Sequence, residues 1–336
     1  MARIFSGIQP TGIVTLGNYL GALRNWVGLQ QGADECIYCM VDLHAITVFQ
    51  DPVALREQTY INTAVVLACG IDPARSILFH QSAVSAHARL AWIFNCVARM
   101  GWLKRMTQFK DKAGKQQEDV STGLFVYPNL MAADIHAYHA TKVPVGEDQL
   151  QHLELANDIG DKFNHDFGVN FFPRVEPLVL PETARVMSLR DGTKKMSKSD
   201  PSDQSRINLL DDEATIALKI RRAKTDSAPL PDTLEALVDR PEAKNLLAIF
   251  AAVSGESQAA LLQRFAGSGF GPFKEQLAEA LVAQIGPIST RAKAYLADKT
   301  ELDRILLDGA RRAAAIATPI VAEVEKMVGF LPGLRD

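Results

Sequence analysis

Arg3-Ile4-Phe5-Ser6-Gly7-Ile8-Gln9-Pro10-Thr11-Gly12-Ile13-Val14-Thr15-Leu16-Gly17-Asn18-Tyr19-Leu20-Gly21 is the stretch on which the fold turns. Its first six residues, Arg3–Ile8, read as a short strand. Gly7, Gly12, Gly17, Gly21 and Pro10 then make a turn, after which the chain becomes helical. Glycines let a phosphate approach the backbone, and a helix N-terminus presents free N–H groups and the positive end of a dipole. Taken alone, a Gly-rich turn is more often only a turn. The spacing is neither G-x-G-x-x-G nor G-x-x-x-x-G-K-[ST], which disfavours dehydrogenase and P-loop readings.

Outward from this stretch, Cys36–Val41 and Ser76–Phe79 also read as strands. A helix lies between them, with Asp51 placed to cap it, Pro52 in its first turn and Gly70 at its exit. Leu55, Ile61, Val65, Val66 and Leu67 are among its apolar positions. Alternating strands and helices predict an α/β fold, a parallel sheet covered by helices. Ligands of such sheets sit beyond the carboxyl ends of the strands, where the glycine-rich turn lies. From about Asp211 the strand signals fade. Leu209–Ala223, Ala243–Val253, Phe273–Ile285, Arg291–Leu296 and Leu302–Val328 read as helices separated by Gly and Pro. The polar segment Thr193–Asn208 joins the two regions. There are no repeats, low-complexity tracts or heptads.

The bulk properties narrow the class. The chain has 336 residues, 47% hydrophobic and 22% charged, and a net charge of −3. That length buries a large core without metals or disulfides. The slight acidity means that any nucleic-acid contact must use local basic patches. Arg221, Arg222 and Lys224 form one such cluster, and Arg304, Arg311 and Arg312 another. The bland alternative for both is surface ion pairing. Cys36 and Cys39 form a C-x-x-C inside an apolar run, with no second pair to complete a zinc site, so they read as buried strand residues. No secretory leader and no membrane-length apolar run is evident, so a cytoplasmic, reducing compartment is expected.

A second motif is Lys194-Lys195-Met196-Ser197-Lys198-Ser199-Asp200, three lysines in five residues flanked by Gly192 and Pro201. A charge run is usually a solvated surface. In a loop, though, it can fold over a triphosphate.

Together the two motifs carry a resemblance. Pro10 to Asn18 resembles the HIGH signature of class I aminoacyl-tRNA synthetases, and Lys195-Met196-Ser197-Lys198-Ser199 matches their KMSKS signature. Thr15 and Asn18 stand where many class I enzymes have histidines, a departure familiar in the tryptophan branch. Met106-Thr107-Gln108-Phe109-Lys110-Asp111-Lys112, Tyr127 to Ile135 and Val143 to Gln149 resemble that branch in particular. The likeness runs over essentially the whole chain. It implies a Rossmann-type catalytic domain over 1–200, ending in the KMSKS loop, and a helical anticodon-binding domain over 201–336 whose last helices can pack back on the core. It further implies a homodimer, ATP arriving with Mg²⁺, L-tryptophan and tRNA(Trp) as substrates, and no protein-bound metal.

The resemblance also assigns residues. Gln9, Pro10, Thr11, Gly17, Asn18, Gly146, Glu147, Asp148, Val186, Lys195, Met196, Ser197, Lys198 and Ser199 would hold ATP. Lys112, Lys195 and Lys198 would act on the phosphates. Asp134, Met131, Gln149, Phe5, His44 and Tyr127 would hold tryptophan. Asp134 stands in an apolar helical context, where a carboxylate is costly unless something donates to it. It is either a cap or ion pair, or the acceptor of an indole N–H, which is a donor only. Glu147 and Asp148 also suit the first turn of a helix after a strand. Three rivals remain: a tyrosyl-tRNA synthetase, a small-molecule adenylyltransferase, and a non-catalytic RNA-binding homologue.

Overall fold

In the computed structural model, described for residues 2–107, 121–146, 149–178, 185–198 and 200–331, five parallel strands form one sheet. They are β1 (Arg3–Ile8), β2 (Glu35–Met40), β3 (Ile77–His80), β4 (Lys142–Pro144) and β5 (Glu176–Leu178), in the order β3-β2-β1-β4-β5. β1 pairs with β2 from Arg3 opposite Glu35 to Ile8 opposite Met40, and with β4 through Ile4 and Lys142. The chain order reverses across β1, which puts the ligand crevice of such a sheet at the carboxyl ends of β1 and β4.

In β1, β2 and β3 both faces are largely buried, so these strands read as apolar runs rather than alternations, whereas β5 at the far edge is not buried. Ile4, Cys36, Tyr38 and Met40 enter one core, and Phe5, Ile37, Cys39 and Phe79 enter the other. Cys36 and Cys39 therefore lie on opposite faces of β2, both free thiols, and do not meet.

The helices are α1 (Leu16–Asn18), α2 (Arg24–Leu29), α3 (Asp42–Ala45), α4 (Pro52–Ala68), α5 (Ala86–Val97), α6 (Met100–Leu103), α7 (Thr122–His136), α8 (Leu150–Asp166), α9 (Glu213–Arg222), α10 (Pro241–Ser254), α11 (Gln258–Phe265), α12 (Phe270–Ala297) and α13 (Lys299–Met327). A π-helical turn, Tyr19–Leu23, joins α1 to α2. Asp51 caps α4 by accepting from the Ala54 N–H at 2.8 Å, and Pro52 opens it. Among the described residues no single helix is long and apolar enough to cross a membrane.

Three helical expectations need correction. Phe273–Ile285 and Arg291–Leu296 are one helix, α12, with Pro287 inside it. Proline forfeits one backbone bond there, but Ile285, Ile288, Ser289 and Ala292 are buried around it, so packing decides. The helix expected from Leu209 starts at Glu213, capped by Asp212, because residues 207–209 are held in extended pairing with the first loop. The short helix α11, capped by Ser257, was not expected at all.

The last helix closes the exposed edge of the sheet. A Cβ at Gly309 would lie 1.8 Å from the Leu78 carbonyl oxygen of β3, so helix and strand backbones touch. Arg312 adds a hydrogen bond to the Pro73 carbonyl at 2.6 Å.

His136, at the end of α7, is fully buried between Phe94 and Phe172 and hydrogen-bonds the Ala156 carbonyl at 2.9 Å. Burial pulls its imidazole down to about 4. The unfolded chain takes that proton near the ordinary value of about 6.5. The contribution to stability is therefore complete above pH 6.5 and is lost as pH falls toward 4. Between pH 7.5 and 4.5 this one group should cost roughly 2–3 kcal/mol. In urea melts, His136→Gln, which keeps a donor for Ala156, should lose less stability on acidification than the parent. Equal losses would show that His136 does not titrate on unfolding.

Candidate active site

The first loop is built around what glycine allows. A Cβ at Gly7 would come within 2.7 Å of Val41 Cγ1, so the end of β1 has no room for a side chain there. Gly12 has φ +66°, the left-handed region, and a Cβ there would lie 3.2 Å from Lys198 Cβ. Thr15 and Asn18 form a capping box: the Thr15 N–H and Oγ1–H donate to Asn18 Oδ1 at 3.1 and 3.0 Å, and the Asn18 N–H donates back to Thr15 Oγ1 at 3.4 Å. These two residues thus order the helix start.

The second loop is a hairpin. The Ser188 N–H donates to the Lys194 carbonyl at 2.7 Å and the Met196 N–H to the Val186 carbonyl at 3.1 Å. Asn245 of α10, buried, holds one arm by accepting from the Met187 N–H at 2.9 Å and donating to its carbonyl at 3.0 Å. Gly192 lies against the start of α10, where a Cβ would come within 2.5 Å of the Pro241 backbone.

The hairpin reaches the first loop. A Cβ on Gly17 would stand 3.6 Å from Val186 Cβ and 3.7 Å from Met196 Cβ. Lys198 Nζ donates to the Gln9 carbonyl and to Asn62 Oδ1, each at 3.4 Å. Asn62, buried on α4, also donates to the Gly12 carbonyl at 3.1 Å. Burial pulls the Lys198 ammonium down to about 8. Lys195 is exposed beside it. Gln9, Pro10, Thr11, Gly17, Asn18, Val186, Lys195, Met196, Ser197 and Lys198 are therefore brought together on these two loops.

A second group sits beyond the carboxyl ends of β2 and β3, which His44 and Gln81 follow. Asp134 of α7 is buried, and its carboxylate accepts from His44 Nε2 at 2.7 Å, Gln81 Nε2 at 2.6 Å and His87 Nδ1 at 2.7 Å. Burial works against its charge, but attraction to His44 and the hydrogen bonds from His44 and His87 outweigh it and hold the carboxyl below its usual range. It is not a cap, because Ser121 caps α7. Tyr127, Met131 and Asp134 share one face of α7 by their spacing of four and three residues. The Tyr127 ring meets the His44 ring edge-on at 6.2 Å, and its hydroxyl bonds His152 at 2.8 Å. Phe5 stacks on Tyr138 at 5.5 Å. Gln149 opens α8, and its N–H donates to the Gly146 carbonyl at 3.0 Å.

The sequence profile of the class I tRNA synthetases of W and Y matches residues 1–285. The chain belongs to that family. It is 54% identical to the tryptophan--tRNA ligase of Brucella melitensis over 98% of each chain. It is 56% identical to that of Caulobacter vibrioides, covering 98% of this chain and 95% of the relative. Among solved structures, tryptophanyl-tRNA synthetase from Campylobacter jejuni complexed with ADP and tryptophan matches at TM-score 0.83 and 34% identity, over 98% of this chain and all of the other.

Lys112, with its neighbours Lys110 and Lys115, and Glu147, Asp148 and Ser199 lie outside the described residues. Four residues not singled out from the sequence stand in these sites: Asn62, Gln81, His87 and Tyr138. Gln81 and His87 lie in mixed polar stretches, Phe79-His80-Gln81-Ser82 and Ala86-His87-Ala88-Arg89, so no local pattern marks them. Only Asn62, inside the largely apolar face of α4, stands out as a polar residue at a core position. The basic clusters differ in their freedom. Arg304 pairs with Glu301 and Lys224 with Glu242, both at 2.7 Å, and Arg312 is taken up by the Pro73 carbonyl. Arg221 and Arg222 are exposed at the end of α9.

Gly12→Ala should destabilise the protein by about 1–2 kcal/mol, the cost of a side chain in the left-handed region, with Lys198 Cβ in its way. Gly21→Ala is the control, since nothing lies within 4 Å of its Cβ position. Denaturant midpoints that fall equally in both variants would remove the special constraint at Gly12.

Proposed function

We propose that this chain activates L-tryptophan with ATP and transfers it to tRNA(Trp). The observation that carries the reading is the meeting of the two signature loops, Gly17 on Val186 and Met196, and Gly12 on Lys198. Identity above 50% to tryptophan--tRNA ligases over nearly the whole chain favours tryptophan over tyrosine.

In the first step a tryptophan carboxylate oxygen attacks the α-phosphorus of ATP. The bond to the bridging oxygen breaks, and pyrophosphate leaves as tryptophanyl-adenylate forms. The nucleophile belongs to the substrate, so the protein aligns the attack and stabilises charge developing on the phosphates. Backbone N–H groups of the first loop, Asn18, Lys195 and Lys198 suit that work, with Lys112. Mg²⁺ enters as part of the ATP substrate. Asp134 accepts the indole N–H, in a pocket with Phe5, His44, Tyr127, Met131 and Gln149. Gly146, Glu147 and Asp148 contact the nucleotide. In the second step the terminal ribose of the tRNA attacks the acyl carbon and AMP leaves. Residues 1–200 form the catalytic domain and 201–336 the anticodon-binding domain of a cytoplasmic homodimer.

Pyrophosphate exchange into ATP with tryptophan, and its absence with tyrosine, tests the assignment directly. Lys195→Ala should lower the exchange rate by about 10²–10³ while tryptophan binding persists. Lys198 should make ATP use pH-dependent. Its ammonium loses its proton above about pH 8 in the free protein, while phosphate binding requires the charged form. The KM for ATP should therefore rise about tenfold from pH 7 to 9. Lys198→Arg, charged throughout, should flatten that rise; an unchanged profile would detach Lys198 from the phosphates.

Arg221→Glu with Arg222→Glu should raise the KM for tRNA, more so at higher salt, and leave tRNA-independent exchange intact. Normal charging at moderate salt would clear these arginines of RNA contact.

A further inference from the structure

The two oxygens of Asp134 are unequally occupied. Oδ1 accepts two hydrogen bonds, from Gln81 Nε2 at 2.6 Å and His87 Nδ1 at 2.7 Å. Oδ2 accepts one, from His44 Nε2 at 2.7 Å. Each carboxylate oxygen offers about two acceptor directions, so Oδ1 is full and Oδ2 has one left. Gln81 and His87 are both fully buried, so no solvent competes for those bonds.

The donor at Oδ1 is itself fixed. A carboxylate can only accept, so His87 Nδ1 carries the hydrogen between them. On the other side of the ring, His87 Nε2 lies 2.7 Å from the Tyr138 hydroxyl. With its single hydrogen on Nδ1, the neutral ring leaves Nε2 as an acceptor, and the Tyr138 hydroxyl, whose proton burial holds more tightly than usual, donates to it. Tyr138 is in turn stacked on Phe5 at 5.5 Å, with Phe79 edge-on at 6.1 Å. The chain Tyr138–His87–Asp134 thus runs from a packed aromatic cluster to a single carboxylate oxygen.

We propose that His87, seconded by Gln81 and oriented by Tyr138, is a positioning residue for substrate specificity. It saturates Asp134 Oδ1, so that Oδ2 is the sole acceptor left for the ring N–H of the amino acid. This rests on the reading of Asp134 as the indole acceptor. Without the two donors at Oδ1 the carboxylate could rotate and offer either oxygen. The pocket would then lose the fixed direction that a ring N–H meets and a ring sulfur cannot.

The test compares exchange driven by L-tryptophan with exchange driven by its analogue bearing sulfur in place of the ring N–H. His87→Leu should raise the KM for tryptophan about 10- to 100-fold, the scale on which a buried charged group suffers from losing a donor. The KM for the sulfur analogue and for ATP should hardly change, so discrimination between the two amino acids collapses. His87→Asn, whose side-chain amide nitrogen can stand where Nδ1 stood, should restore most of it. Tyr138→Phe removes only one hydroxyl, and should shift discrimination the same way by less; it serves if the leucine variant does not fold. Equal KM increases for both amino acids would reduce His87 to a packing role and overturn the proposal. So would unchanged discrimination in His87→Leu while Asp134→Ala abolishes it. Discrimination that survives Asp134→Ala would instead remove the reading on which the proposal stands.

Discussion

Two backbone hydrogen bonds hold the chemistry of this protein in place. The Leu16 N–H donates to the Ile207 carbonyl at 2.8 Å, and the Leu209 N–H donates to the Val14 carbonyl at 2.9 Å. They pair the end of the first glycine-rich loop with the segment just after the lysine hairpin, across nearly two hundred residues. Each loop alone is short and polar, with little apolar surface to fix it. Joined, they share buried partners: Val14, Leu16, Ile207 and Leu209 are all core residues. The mutual placement of the two signature loops rests on this pairing.

The same junction is secured by charge. Lys219 of α9 is buried, and its ammonium lies 2.7 Å from both Asp203 and Asp211. Asn208 donates to Asp203 at 2.8 Å, and its own N–H donates to Asp211 at 2.9 Å. Asp203 is desolvated, but the hydrogen bonds from Lys219 and Asn208 outweigh that and hold its carboxyl below the usual range. Burying an ammonium is costly, and its carboxylates repay that cost only with good geometry. What the cluster provides is register. Residues 203, 208 and 211 can satisfy one lysine only if the strand between them is aligned as observed, and that alignment sets where the lysine hairpin meets the first loop.

What was legible in the sequence follows from what is local. β1, the cap and first turn of α4, and the two signature loops are written in adjacent residues, as strand pattern, Asp-Pro and glycine spacing. The C-terminal helices were legible as helical but not as continuous. Pro287 looks like a break, because the apolar burial that overrides it comes from α4, more than two hundred residues away. The late start of α9 has the same origin, since Leu209 is taken into pairing with Val14. Within the site, Asp134 could be marked as anomalous from its apolar surroundings. Of its donors only His44 could be named, and not as a donor, because His44, Gln81 and His87 come from three separate elements and meet only in the folded sheet.

Asp134 shows why such donors matter more than their number suggests. A buried, ionised carboxylate without partners would take up a proton rather than stay charged. Three donors keep it an anion, and an anion at fixed orientation is what makes a polar site selective. A pocket lined only by Phe5, Tyr127 and Met131 would bind any flat ring by its apolar area, and differences of one ring atom would be worth little. With a pre-oriented acceptor, a ring lacking the N–H leaves that acceptor unmet, and the loss is then the desolvation cost of a charged group rather than the net gain of a hydrogen bond. On the proposed reading of Asp134 as the ring N–H acceptor, selectivity follows from the buried residues that hold it in its charged state and fixed direction.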